Sequence, residues 1–124
     1  MVRTLDEKCN GLVITESNMI SSGFKGSFPS NRFSFFVATN SEDILKLLTM
    51  FKMDFIIAEV SLLPKDIISF LRTKKDKKVP IYSFSLNTKS DQNRIDEINL
   101  QYPRFSFYHG VDSIVDEVKK EYLQ

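Results

Sequence analysis

Four short apolar runs in this 124-residue chain end in side chains able to do chemistry. Leu12-Val13-Ile14 leads into Thr15-Glu16, and Phe55 to Ala58 leads into Glu59. Val79 to Phe84 leads into Ser85, and Phe105 to Tyr108 leads into His109-Gly110. Glu16 and Glu59 are the two carboxylates of the set. Mg²⁺ is commonly held by one or two carboxylates completed by water and phosphate oxygens, so weak metal binding by this pair is open, although no dedicated metal site is expected. Thr15 and Ser85 bring hydroxyls that can donate to an anionic oxygen. His109 brings an imidazole, which is not a fixed cation as a Lys or Arg side chain is. Cys9 is the one cysteine, which rules out an intrachain disulfide and a cysteine metal cluster. It precedes the first run, at the end away from the other residues, and reads as a buried structural thiol.

These residues share a site only if the elements behind them align. The second of five β-prone runs, Phe33 to Ala38, completes a series whose starts lie 21, 22, 24 and 26 residues apart. Most are apolar on consecutive positions, as strands covered on both faces are. The segments between them read as helices. Asn40-Ser41-Glu42-Asp43 offers an N-cap and an acidic first turn, with Ile44, Leu47, Leu48 and Phe51 at helical spacing. Pro64 opens the next, with Ile67, Ile68 and Leu71 on one face. Ser90 to Tyr102 is polar apart from Ile95, Ile98 and Tyr102, and Asp112 to Leu123 carries Ile114, Val115, Val118 and Tyr122. Only Ser17 to Phe28 reads as a short or frayed helix, because Gly23 and Gly26 each cost about 1 kcal/mol there.

Strands alternating with helices give right-handed βαβ units and a parallel sheet. The expected fold is an α/β, flavodoxin-like, doubly wound (βα)5 domain with strand order 2-1-3-4-5 and helices on both faces. The chain reads as a single domain over residues 1–124, with residues 1–10 as a lead-in. In such a sheet ligands bind beyond the carboxyl ends of the strands, where the residues named above fall.

Composition narrows the function classes. Seventeen Lys+Arg face 16 Asp+Glu, a net charge of +1 that gives no general attraction to nucleic acid or an anionic membrane. The basic run Arg72 to Lys78 lies before the fourth strand, away from the site, and reads as solvated loop charge. Neither a secretory h-region nor a transmembrane stretch is present, and the lone cysteine suits a reducing, cytoplasmic setting. Neither phosphate-loop glycine motif appears, and Ser21-Ser22-Gly23 comes too late for a flavin phosphate loop. Cys9 is not at a strand's carboxyl end with an Arg behind it, as a cysteine phosphatase requires. No enzyme activity and no cofactor are expected.

The order of these loop ends resembles the receiver domains of bacterial two-component response regulators, over nearly the whole chain. That family ends strand 1 in two acids that hold Mg²⁺ and strand 3 in a phosphate-accepting Asp. It carries Ser or Thr after strand 4 and Lys-Pro after strand 5. Here Leu-Val-Ile-Thr15-Glu16 has Thr in place of one acid, and Asp54-Phe-Ile-Ile-Ala-Glu59-Val-Ser-Leu-Leu-Pro64 has Glu at the acceptor position. Val-Pro80-Ile-Tyr-Ser-Phe-Ser85 keeps the hydroxyl, and His109-Gly110 replaces Lys-Pro. Ser106 stands where the family's switch aromatic would be. The resemblance therefore implies a degenerate receiver whose pocket, Thr15, Glu16, Glu59, Ser85 and His109, has lost the phosphorylation chemistry.

Two consequences for that pocket stay open: Glu59 as a permanent charge acting on Ser85, or a vestigial pocket. The resemblance implies protein partners in signalling, met through the fourth helix, fifth strand and fifth helix. That face would present Asp91, Arg94, Asp96, Glu97, Gln101, Lys119 and Lys120 and is also where a homodimer would form. The alternatives are the N-terminal part of a longer, for instance DNA-binding, regulator, or a flavodoxin-like cofactor-binding protein.

Overall fold

The computed structural model describes residues 8–74 and 78–123. In chain order the elements are β1 Cys9–Ile14, α1 Asn18–Ser27, β2 Phe33–Ala38, α2 Ser41–Met50 and β3 Phe55–Glu59. A 3-10 turn, Val60–Leu62, follows, then α3 Lys65–Thr73, β4 Ile81–Phe84, α4 Thr88–Gln101, β5 Phe105–Phe107 and α5 Val111–Tyr122. All strand pairings are parallel and the order is β2-β1-β3-β4-β5, the doubly wound α/β architecture expected from the sequence.

The period-two alternation of each strand sends its apolar residues to two separate cores. Leu12, Ile14, Ile56, Ala58 and Ile81 pack with Ile44 and Leu48 of α2, Ile67, Ile68 and Leu71 of α3, and Ile95 and Ile98 of α4. On the other face Val13, Phe55, Ile57, Tyr82 and Phe84 pack with Phe24 of α1 and Ile114 and Val118 of α5. This second core is strongly aromatic. Phe33 and Phe35 both meet Phe55 edge-on, with ring centroids 6.2 and 6.0 Å apart. The rings close over Gly11, where a Cβ would come within 2.6 Å of Phe55 and 2.9 Å of Phe35.

Three helices start where side chains satisfy their first amides. Ser17 accepts from Ile20 N at 3.2 Å, Asn40 from Asp43 N at 2.9 Å, and Asn87 from Ser90 N at 3.2 Å. Pro64 is itself the N-cap of α3, with no side-chain bond.

Three expectations need correction. The first connection is not frayed: α1 runs ten residues with Gly23 and Gly26 inside it. The burial of Phe24 and the Ser17 cap outweigh the propensity cost of the two glycines. Cys9 opens β1 rather than preceding it, and it is buried. Lys78, at the end of the basic run, is not a solvated charge. Its ammonium donates to the carbonyls of Leu71 at 3.3 Å and Lys74 at 3.0 Å, and to that of Arg72. A cation there complements the negative end of the α3 dipole. Residues 75–77 of that run and residues 1–7 of the lead-in lie outside the described residues.

Candidate functional site

The register of β1 against β3 sets Ile14 opposite Ala58, so the next positions, Thr15 and Glu59, emerge side by side at the carboxyl ends of the central strands. Both are buried, with exposures of 1 % and 8 %. A carboxylate taken from water must regain its hydrogen bonds or become costly. Glu59 regains them from two hydroxyls: Thr15 Oγ1 donates to Oε1 at 3.0 Å, and Ser61 Oγ donates to Oε2 at 2.9 Å. Thr15 Oγ1 in turn accepts from Ser17 N at 3.1 Å, which ties the pair to the start of α1. Among the described residues no buried side-chain nitrogen or oxygen lacks a partner.

The other expected pocket residues have partners of their own or are exposed. Glu16 is exposed in the bend after β1. Ser85 turns toward α4, donating to Asp91 Oδ2 at 2.6 Å and accepting from Asn87 N at 3.1 Å. It thereby shapes the turn into α4. His109 is exposed, its ring edge-on to Phe107 with centroids 5.2 Å apart. Among the described residues no three His, Cys, Asp or Glu side chains converge as metal ligands. Each Glu59 oxygen already accepts one hydroxyl hydrogen bond, and Glu16 is exposed.

Several residues of the expected partner face have partners within the chain. Arg94 donates to the Leu63 carbonyl and lies 3.7 Å from Glu97, whose carboxylate also meets Lys65 of α3 at 3.5 Å. Arg94 and Glu97 thus tie α4 to the segment between β3 and α3 and to the start of α3. Asp91 is occupied by Ser85, and the Lys119 ammonium sits 5.8 Å from the centre of the Phe28 ring, toward α1. Asp96, Gln101 and Lys120 remain exposed, beside a Leu100 that is 90 % exposed. Asp96 accepts from Gln92 at 3.0 Å one helical turn away.

Two structural hydroxyls were not anticipated. Ser61 reaches Glu59 only because the chain turns at once into the Val60–Leu62 turn, a geometry its sequence context does not announce. Ser83 is fully buried and donates to the Ser106 carbonyl at 2.8 Å, joining β4 to β5. A polar residue inside the doubly covered run Ile81-Tyr82-Ser83-Phe84 was a signal that a partner must exist.

No protein-family model matches the sequence, and no curated protein matches it either. The fold is similar to that of a solved structure described as a response regulator from Thermotoga maritima, with a TM-score of 0.66 and 16% identity over 95% of this chain and 100% of that one. At that identity the likeness is one of fold: this chain has the five-stranded, receiver-like α/β architecture.

Proposed function

We propose that this chain is a receiver-like signalling module that acts by binding other proteins and does not accept a phosphoryl group. The observation that carries this reading is the closed arrangement Thr15–Glu59–Ser61, in which both oxygens of the strand-end carboxylate accept hydroxyl hydrogen bonds. Phosphoryl transfer to a carboxylate depends on an in-line nucleophile and on positive charge at the transferred oxygens. Glu59 is one methylene longer than the Asp such a site is built around, and a displacement of about 1 Å can cost roughly 100-fold in rate. Ser85 is held by Asp91, and the exposed His109 stands where a fixed cation would be needed.

In this reading Glu59 is a structural strut. Its charge is absorbed by hydroxyls within the β1 and β3 ends rather than exerted on Ser85, which favours the vestigial pocket over a permanent signal through that serine. The module is non-catalytic and works in the cytoplasm. Partner contact falls to the exposed part of α4 and α5, around Asp96, Leu100, Gln101 and Lys120. Among the described residues no helix is long and apolar enough to cross a membrane. Intact-mass measurement after incubation with acetyl phosphate and Mg²⁺ tests the reading: it expects an unmodified chain, and a phosphoryl adduct that disappears in Glu59→Gln would overturn it.

A further inference from the structure

The two edges of the sheet differ in how they are protected. Sheet edges present unpaired backbone groups, and proteins usually shield them with short strands, charges, proline or bulges. β5 is only three residues long, and Pro103 and Arg104 precede it. β2 is six residues, Phe-Ser-Phe-Phe-Val-Ala, with neither a charge nor a proline. Among the described residues its hydrogen-bonded neighbour is β1 alone.

The direction of its free groups follows from one bond. Cys9 N donates to Arg32 O at 2.9 Å, so the alternation of a parallel ladder turns Ser34 and Phe36 toward β1. Phe33, Phe35 and Val37 then face outward. Phe33 N is spent on Pro29 O at 3.1 Å. The N–H and C=O of Phe35 and Val37 remain as the outward set.

Apolar surface flanks this edge on both sides. Phe36 stacks on Phe51 with centroids 4.6 Å apart, Phe51 is 37% exposed and Met50 is 61% exposed. On the other face a hollow of about 250 Å³ is lined by Lys25, Phe28, Ser30, Phe33 and Phe35, and the alternation of the strand puts Val37, 37% exposed, on that same face.

We infer that β2 is the pairing edge of a symmetric homodimer, joining antiparallel to β2 of a second copy. Centred on Phe36, such a pair sets Phe35 of each copy opposite Val37 of the other, and each pair exchanges two hydrogen bonds through the outward set. Val37 of the second copy then lies over Phe35, beside the hollow. The charges select a second copy in this orientation. Arg32 is exposed at the start of β2, and Glu42 and Asp43 are exposed just beyond its end. Antiparallel two-fold pairing brings the basic end of each strand onto the acidic end of the other, twice, whereas parallel pairing would set like on like.

Sedimentation velocity of the full chain over a concentration series at low salt tests this. The wild type is expected to show a monomer–dimer equilibrium, and Val37→Lys to raise its dissociation constant about tenfold or more. Arg32→Glu is expected to weaken the dimer too, and Arg32→Glu with Glu42→Arg to restore it. All three positions are exposed, circular dichroism establishes that each variant is folded, and the charge-swap pair carries the test should Val37→Lys not fold. A wild type that stays monomeric throughout, or a dimer indifferent to both Val37→Lys and Arg32→Glu, overturns the inference.

Discussion

Thr15 donates its hydroxyl to the Glu59 carboxylate at 3.0 Å because parallel pairing with Ile14 opposite Ala58 leaves the two residues adjacent at the strand ends. Thr15 also accepts from Ser17 N, so a single buried hydroxyl links β1, β3 and the cap of α1. Thr15→Val keeps the shape and removes both bonds. It is expected to destabilise the fold by about 1–3 kcal/mol, measured by urea denaturation.

Ser61 holds the other oxygen of the same carboxylate, but it is exposed and water can replace it. Ser61→Ala is therefore expected to cost less than about 1 kcal/mol. A double-mutant cycle between Thr15→Val and Glu59→Gln should give a coupling of about 0.5–3 kcal/mol, since the two share one buried bond. Equal losses at Thr15 and Ser61 would count against the burial argument.

Gly11 makes room for the aromatic core. Gly11→Ala drives a Cβ to 2.6 Å from the ring of the fully buried Phe55, which is hemmed in by Phe33, Phe35 and Tyr82. The expected loss is about 1–3 kcal/mol, read as a lowered melting temperature. Gly23 is the opposite case, a helical position with open space around it. Gly23→Ala is expected to stabilise by about 0.5–1 kcal/mol in the same assay.

Burial raises all four tyrosines above the ordinary phenol value of 10.0, Tyr82 and Tyr102 to about 12 and Tyr108 and Tyr122 also upward. Tyr102 donates to Val79 O at 2.7 Å and Tyr122 to Asp54 O at 3.1 Å. The folded chain thus keeps phenol protons that the unfolded chain releases. This stabilisation is complete below pH 10 and is lost as pH rises toward 12. Urea midpoints should fall between about pH 9 and about pH 11, with phenolate absorbance appearing as the protein unfolds.

The sheet was legible in the sequence because its order rests on regular spacing and on apolar runs buried from both sides. Helix α1 was underread because propensity sees Gly23 and Gly26 but not the burial of Phe24 that pays for them. At the site, the adjacency of Thr15 and Glu59 follows from the strand ends, since backbone register alone puts them together. Ser85 was different: its side chain had two directions open, and the N-terminal turn of α4 took it through Asp91. Arg94, Glu97 and Lys119 were similarly unreadable, because long side chains choose partners on neighbouring elements that only the packed fold supplies.

The amide spectrum of the isotope-labelled chain, recorded while Mg²⁺ and beryllofluoride are added, bears most directly on the claim that the strand-end pocket no longer runs phosphoryl chemistry. The resonances of Thr15, Glu16, Glu59 and Ser85 are expected to stay where they are. Shifts confined to those residues at sub-millimolar Mg²⁺, saturating with beryllofluoride, would show a working acceptor site and contradict it.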